Sequence, residues 1–178
     1  MKLPSATRKD SQDICFITEG DYRSFIDGRV ALEPGDIEDT RRNVIGNHGG
    51  LALYTIGQRH GLGINNNKTL YVIKLDAYNN RVVVGEKEQL FSRKLQAGQL
   101  NWVSGTLPVG PFEVNAKIRY KAPESAATFT QKYGLAEVVF QEPQMAITPG
   151  QSVVFYLGEA VLGGGIIEEA TVADAVIS

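Results

Sequence analysis

Short apolar runs that alternate with polar residues recur along most of the chain, separated by glycine, asparagine and proline. The clearest is residues 69–75 (TLYVIKL), followed by an asparagine pair at 79–80 and a second apolar run at 81–85 (RVVVG). Two such runs joined by a turn predict a β-hairpin. The best helical pattern, residues 21–26, spans about two turns and is marginal alone. The chain is therefore predicted to be mainly β.

The apolar runs beyond residue 89 recur at the spacing of a small barrel or sandwich. Pro143 and Pro149 are expected to flank a loop outside the strands, because proline cannot donate to a β-ladder. The strands are predicted at residues 95–102, 112–120, 126–131, 135–140, 152–156 and 160–167.

The strand pattern pauses and charge rises within residues 86–92, which predicts a boundary there. We therefore expect a linker and short strand over 1–19, a small central β domain over 20–88 and a second β domain over 89–178.

The composition indicates a folded protein. Of 178 residues, 43% are hydrophobic and 21% charged, which supplies a core. No apolar run approaches the roughly 18 residues that cross a bilayer, and no secretory signal opens the chain, so we expect a cytoplasmic protein without membrane contact. A single cysteine excludes an internal disulfide. That cysteine and the histidines His48 and His60 lie far apart, so no metal site is expected.

The net charge of −2 argues against nucleic-acid binding unless positive charge is concentrated locally. Residues 114–121 resemble a strand whose alternation places Lys117, Arg119 and Lys121 on one face. The residues between them are expected to point into a core: Ala116, Ile118 and Tyr120. Such a face either follows phosphates or is an ordinary solvated strand surface, and alternation alone leaves both open.

Cys15 is the only cysteine, and it lies among polar and acidic neighbours. A lone thiol is either a small hydrophobe in a core or a nucleophile, since the thiolate is the reactive form. Arg59 and His60 lie in a glycine-rich segment that predicts a loop tip, where side chains reach ligands.

Three other residues have ordinary structural interpretations. Trp102 and Tyr156 lie in predicted strands, where aromatic side chains usually pack in a core. His48 lies between Asn47 and Gly49 and is interpreted as a hydrogen-bonded loop histidine.

Five segments in order resemble the tRNA-specific 2-thiouridylases, a family that replaces the carbon-2 oxygen of the anticodon wobble uridine with sulfur. The segments are DSQDICFI (10–17), YTIGQRHGLGI (54–64), KIRY (117–120), TPGQSVVFY (148–156) and LGGGII (162–167). Members are much longer, and their N-terminal half resembles an ATP-pyrophosphatase domain with a Ser-Gly-Gly-x-Asp-Ser loop and a first catalytic cysteine. Neither feature occurs here. We expect the C-terminal half of a longer enzyme or of a naturally split one.

The resemblance implies a central β domain followed by a six-stranded β-barrel of the kind seen in translation factors. It implies that Cys15 is the second of two cysteines in sulfur transfer. Arg119, Tyr120 and Gln151 align with positions that contact tRNA, and the basic face adds Lys117. Arg59 and His60 are candidates for the active-site rim.

The same resemblance implies the small molecules and partners. ATP with magnesium is expected in the N-terminal domain, and no cofactor in this half. The partners expected are tRNA and a sulfur donor, either a sulfur-relay protein or a cysteine desulfurase. This half alone is expected to be inactive.

Two other classes stay open. One is a non-enzymatic RNA-binding β module in which Cys15 is structural. The other is a tRNA methyltransferase, although no doubly wound α/β pattern and no glycine-rich cofactor loop appears in the sequence.

Overall fold

A computed structural model describes residues 32–64, 68–106 and 110–171. Its first four strands are β1 (Gly35–Glu38), β2 (Val44–His48), β3 (Tyr71–Asp76) and β4 (Arg81–Gly85). They form one sheet in the order β2-β1-β4-β3, with β1 parallel to β4 and the other neighbours antiparallel. The predicted hairpin is therefore confirmed as β3 and β4.

Alternation along these strands builds a small core. Val82 and Val84 of β4 point inward together with Ile37 of β1 and Val72 of β3, and all four are fully buried. Leu62, from the loop before β3, closes the same cluster. The partners are β-branched for the most part, which suits a pleated and half-buried surface.

His48 fastens the end of β2 to the hairpin turn. Its buried ring lies with Nε2 3.1 Å from the carbonyl oxygen of Asn80, and Nδ1 accepts a hydrogen bond from the amide of Gly50 at 3.1 Å. An accepting Nδ1 requires the proton on Nε2, so both nitrogens are satisfied by a neutral ring. The expected hydrogen bonding is observed, at a strand end and not in a loop.

Two short 3-10 helices, Leu51–Leu53 and Lys87–Leu90, lie between strands. After the second come six more strands: β5 (Phe91–Trp102), β6 (Phe112–Lys117), β7 (Ser125–Lys132), β8 (Leu135–Met145), β9 (Ser152–Leu157) and β10 (Ala160–Thr171). They close into a barrel in the order β10-β5-β8-β7-β6-β9, with β9 paired to β10. The fold class predicted from the sequence, mainly β with a small sheet and a six-stranded barrel, is confirmed.

Aromatic rings fill the barrel. Phe129 and Phe155 are fully buried with ring centroids 5.2 Å apart. Trp102 meets the edge of Phe129 at 5.2 Å and stacks on Phe155 at 5.7 Å, so its predicted core position is correct. Edge-to-face and offset pairs of this kind add to the free energy gained from burial.

Several predicted strand limits are wrong, since β5 begins and β10 ends four residues beyond the predicted bounds, and the ends of β6 and β8 also differ. Pro143 lies inside β8, at a place where the ladder with β5 jumps from the Lys94–Val139 pair to the Ser92–Gln144 pair. At such a bulge a missing N–H costs no ladder hydrogen bond, so proline is tolerated. β6 ends at Lys117, three residues before its predicted end.

Some predictions fall outside the described residues, namely the strand with Cys15, the helix at 21–26 and the linker over 1–19. The division of the chain at residue 88 stays a prediction. Among the helices of the described residues, none is long and apolar enough to cross a membrane.

Candidate nucleic-acid interface

Strands β6 and β9 form the floor of the candidate site. They pair antiparallel with Lys117 opposite Val154 and Ala116 opposite Phe155. Because side chains alternate along a strand, the register that buries Ala116 and Phe155 turns Lys117 and Tyr156 outward. Tyr156 was expected in the core, yet it is half-buried on the outer face.

The chain leaves β6 after Lys117 and turns at once. The amide of Ala122 donates to the carbonyl of Arg119 at 3.1 Å, which closes a turn over residues 119–122. The expectation that Tyr120 points into a core is therefore wrong: β6 ends at Lys117, the turn follows, and Tyr120 is 70% exposed. Its ring centroid lies 5.9 Å from Lys117 Nζ, a cation–π distance.

Arg119 is exposed and anchored at one point. Its Nη2 donates to the carbonyl of Met145, the last residue of β8, at 2.8 Å. One of the five guanidinium donors thus ties the turn after β6 to the end of another strand. This bond orients a delocalised cation at the edge of the β6–β9 floor.

Gln151 lies on the turn that the sequence predicts. Its amide donates to the carbonyl of Thr148 at 3.3 Å, and Gly150 has φ +86°. Proline at the second position and a left-handed glycine at the third are the signature of a type II turn. The carbonyl of Gln151 accepts from Ile167 at 2.8 Å, so the backbone is held by β10 while the side chain is exposed.

These segments surround one open cleft of about 620 Å³. The residues that line it are Lys117, Ile118, Arg119, Tyr120, Gly150, Gln151, Ser152, Val154 and Tyr156. The structure thus brings together all four residues expected to contact tRNA. Two are cations, and no carboxylate occurs among the described residues that line the cleft. Positive charge is concentrated here although the whole chain is acidic.

Tyr156 is the residue of this cleft that sequence reasoning missed. The signal was available, because Tyr156 directly follows Phe155, and adjacent strand residues face opposite sides. Lys121, expected on the basic face, is exposed in the turn and does not line the cleft.

Arg59 and His60 lie elsewhere. Their segment is pinned to β3, because Gly57 donates to the carbonyl of Val72 at 2.8 Å and Val72 donates to Gln58 at 2.9 Å. Arg59 lines a separate shallow depression with Lys68, Lys87 and two glutamates, and this depression shares no lining residue with the cleft. Both Arg59 and His60 are exposed, as a loop tip predicts.

Comparison with known proteins identifies the family. A model described as a tRNA methyl transferase PRC-barrel domain matches residues 23–86, and one described as an aminomethyltransferase beta-barrel domain matches residues 92–167. The tRNA-specific 2-thiouridylase MnmA of Moorella thermoacetica is 52% identical over 93% of this chain. Those of Acetivibrio thermocellus and Chlorobium chlorochromatii are each 46% identical, over 92% and 94% of it. The chain belongs to the tRNA-specific 2-thiouridylase family. It spans about half the length of these curated relatives, 47%, 46% and 48% respectively, and corresponds to the family's C-terminal region.

The chemistry expected of this 2-thiouridylase region lies partly outside the described residues. Cys15 lies outside the described residues, so its surroundings are not described. Within the described ranges, no group of three or more His, Cys, Asp or Glu residues is placed to hold a metal ion. What the described part offers is an open cleft lined by cations, phenol rings and an amide.

Proposed function

We propose that this chain is the tRNA-contacting C-terminal half of an ATP-dependent tRNA 2-thiouridylase that thiolates carbon 2 of the anticodon wobble uridine. The observation that carries the proposal is the cleft, where the family segments 117–120 and 148–156 meet on adjacent strands. Residues separated by about thirty positions in sequence converge there, in a chain whose relatives are named for tRNA thiolation.

The cleft residues suit an RNA loop. Lys117 and Arg119 supply charge for phosphates, and Tyr120 and Tyr156 offer rings on which splayed bases stack. Gln151 offers an amide that hydrogen-bonds a base edge or a ribose hydroxyl. Anticodon loops are recognised in this way, through unstacked bases together with the backbone.

The chemistry would be completed by Cys15 and by an N-terminal half. In the proposed reaction the uridine carbon-2 oxygen attacks ATP and is adenylated, with release of pyrophosphate. The outer sulfur of a cysteine persulfide then attacks carbon 2, and AMP departs with the former uridine oxygen. The thiolate of the other cysteine attacks the inner sulfur and breaks the S–S bond, which leaves the outer sulfur on carbon 2 and joins Cys15 and the first cysteine as a disulfide. The persulfide sulfur comes from a sulfur-relay protein or a cysteine desulfurase.

The remaining expectations form part of the same proposal. ATP and magnesium bind in the N-terminal half, so this half alone neither binds ATP nor thiolates tRNA. Arg59 and His60, on a loop held against β3, belong to the rim of the assembled active site. The enzyme works where tRNA is made available for modification, in the cytoplasm.

The test compares two variants of the full-length enzyme. Cys15→Ser is expected to abolish 2-thiouridine formation while tRNA binding persists. Lys117→Ala/Arg119→Ala is expected to weaken tRNA binding and to reduce its salt dependence, because fewer counterions are released. Unchanged thiolation by Cys15→Ser would contradict the chemical role and favour a non-enzymatic RNA-binding module.

The second candidate function is methyl transfer to tRNA, which the description of the family model matching residues 23–86 names. Nucleoside mass spectrometry of tRNA treated with the full-length enzyme separates the two reactions. Exchange of oxygen for sulfur supports the proposal, whereas an added methyl group would refute it.

A further inference from the structure

The outer face of the barrel continues beyond the cleft along one register row. Lys117 of β6 lies opposite Val154 of β9, Val154 lies opposite Gly164 of β10, and Gly164 lies opposite Asn101 of β5. Paired residues of antiparallel strands share a face, so these four residues point to the same side. Three strand spacings place Asn101 about 14 Å from Lys117.

The neighbouring row confirms the orientation, because its members all point inward. Ala116, Phe155, Gly163 and Trp102 are paired in the same sequence across the four strands, and all are buried. The outer row therefore lies on the opposite side of the sheet, facing solvent.

A bulge in β5 adds a second polar side chain to this surface. Between the Gly98–Ile166 and Asn101–Gly164 pairs, Gln99 and Leu100 together oppose the single residue Gly165. Leu100 packs against the barrel core, whereas Gln99 is exposed beside Asn101 in a shallow depression of about 440 Å³.

Gln99 adopts φ +50°, a left-handed conformation that glycine or asparagine accepts more readily. Its side chain packs in no core, and within the described part of the chain neither Gln99 nor Asn101 has a side-chain hydrogen bond to the protein. Folding alone therefore gives no reason for glutamine here. Strained residues at bulges commonly present a side chain to a ligand.

We propose that this row is a path for the RNA backbone, on which Gln99 and Asn101 hydrogen-bond phosphate or ribose oxygens of the tRNA held in the cleft. The inference rests on the proposed function and extends it to residues on β5. The inference is supported by the continuity of the two surfaces, since Ser152 and Val154 line both the cleft and the depression. At the centre of the path Gly164 has no side chain, so a sugar-phosphate backbone approaches the sheet closely.

Loss of a neutral amide is expected to change tRNA binding differently from loss of a cation. Losing a neutral hydrogen bond lowers affinity about 3- to 10-fold. It leaves the slope of affinity against salt unchanged, because no counterion release is lost. We therefore expect Gln99→Ala and Asn101→Ala to weaken binding of unmodified tRNA by this chain at every salt concentration, with the slope of the wild type.

Gln99→Gly separates recognition from folding. Glycine adopts the left-handed conformation without strain, so the variant is expected to melt at a higher temperature than the wild type. Because it lacks the amide side chain, it is also expected to bind tRNA more weakly. If Gln99 had only a structural role, the variant would not gain stability while losing affinity for tRNA.

Asn101→Glu places a negative charge on the path and is expected to weaken binding more than Asn101→Ala. The matched control is Gln141→Glu, the same gain of charge at an exposed residue of β8, which lies across the barrel from β9. Thermal unfolding of each variant confirms that it is folded.

The outcomes distinguish this inference from the proposed function. If Asn101→Glu binds tRNA as Gln141→Glu does while Lys117→Ala/Arg119→Ala loses affinity, the path is wrong and the cleft stands. If the wild-type chain, folded, binds no tRNA, both are overturned. The path is supported if Gln99→Ala and Asn101→Ala lower the affinity for tRNA and leave the slope of affinity against salt unchanged.

Discussion

Arg119 is predicted to contribute both to the stability of the barrel and to RNA binding. A hydrogen bond from a charged donor to a carbonyl contributes about 1.5–3 kcal/mol when buried. Arg119 is exposed, so its 2.8 Å bond to Met145 is expected to contribute about 1 kcal/mol. Arg119→Ala should therefore lower the melting temperature by about 2–4 °C. Loss of one phosphate contact should also reduce the salt slope of tRNA binding by about 1.

Arg93 provides a matched control for this prediction. It also donates to a β8 carbonyl, that of Gln141, and its side chain is 52% exposed, but it does not line the cleft. Arg93→Ala is expected to destabilise the chain similarly and to leave the salt slope unchanged. Arg119→Lys keeps the positive charge but lacks the forked geometry of the guanidinium. It should therefore retain the salt slope of tRNA binding and lose the stability contributed by the bond to Met145.

Thermal unfolding and tRNA titration at several salt concentrations supply both measurements for Arg119. Equal salt slopes for Arg119→Ala and Arg93→Ala would refute the phosphate contact. An unchanged melting temperature in Arg119→Ala would refute the contribution of the bond to Met145.

Three further predictions concern packing, pH and stacking. Gly163→Ala should destabilise the barrel by about 1–3 kcal/mol in urea unfolding, because an added Cβ would lie 2.3 Å from a carbonyl oxygen of β5. The control Gly49→Ala should not destabilise the chain in this way, because the atom nearest to its added Cβ would lie 3.7 Å away. The hydrogen bond from Lys94 lowers the pKa of Glu137, so this carboxylate stabilises the fold above its ordinary pKa, and the stabilisation is lost as the pH falls through the lowered value. Glu137→Gln should accordingly be less stable than wild type by a few tenths of a kcal/mol at pH 7. This prediction is contradicted if the difference in melting temperature between the two proteins is the same at pH 3 as at pH 7. Tyr156→Ala should weaken tRNA binding about 5- to 100-fold while Tyr156→Phe keeps it, since a stacked base contributes about 1–3 kcal/mol, and wild-type binding by Tyr156→Ala would exclude stacking.

The strands could be predicted from the sequence because alternation is a local property. The valines at 82 and 84 alternate with polar or half-buried positions, and β4 appears where they predict it. The pairing of β1 with β4 could not be predicted. β1 is only Gly35–Glu38, without a clear alternating pattern, and its parallel partner lies more than forty residues away.

The errors at the ends of β6 and β8 have different physical causes. The predictions extended β6 to Tyr120 and stopped β8 before Pro143, because they treated alternation and the proline rule as continuous along a strand. A local turn, closed by the hydrogen bond from Ala122 to Arg119, ends β6, whereas pairing with β5 across a bulge carries β8 past Pro143. The consequence for the site is the exposure of Tyr120.

The register between β6 and β9 links the fold to the candidate function. A slip of one residue would exchange the two faces, exposing Phe155 and burying Lys117. Burial of the aromatic core therefore fixes the register, and the register in turn fixes which cations and rings reach the outer face, where tRNA is proposed to bind. Substitutions in the inner row should act on stability and those in the outer row on tRNA binding, although the two rows alternate residue by residue. The family segments 117–120 and 148–156 contain residues of both rows, so one short stretch of sequence contributes both to folding and to the proposed recognition.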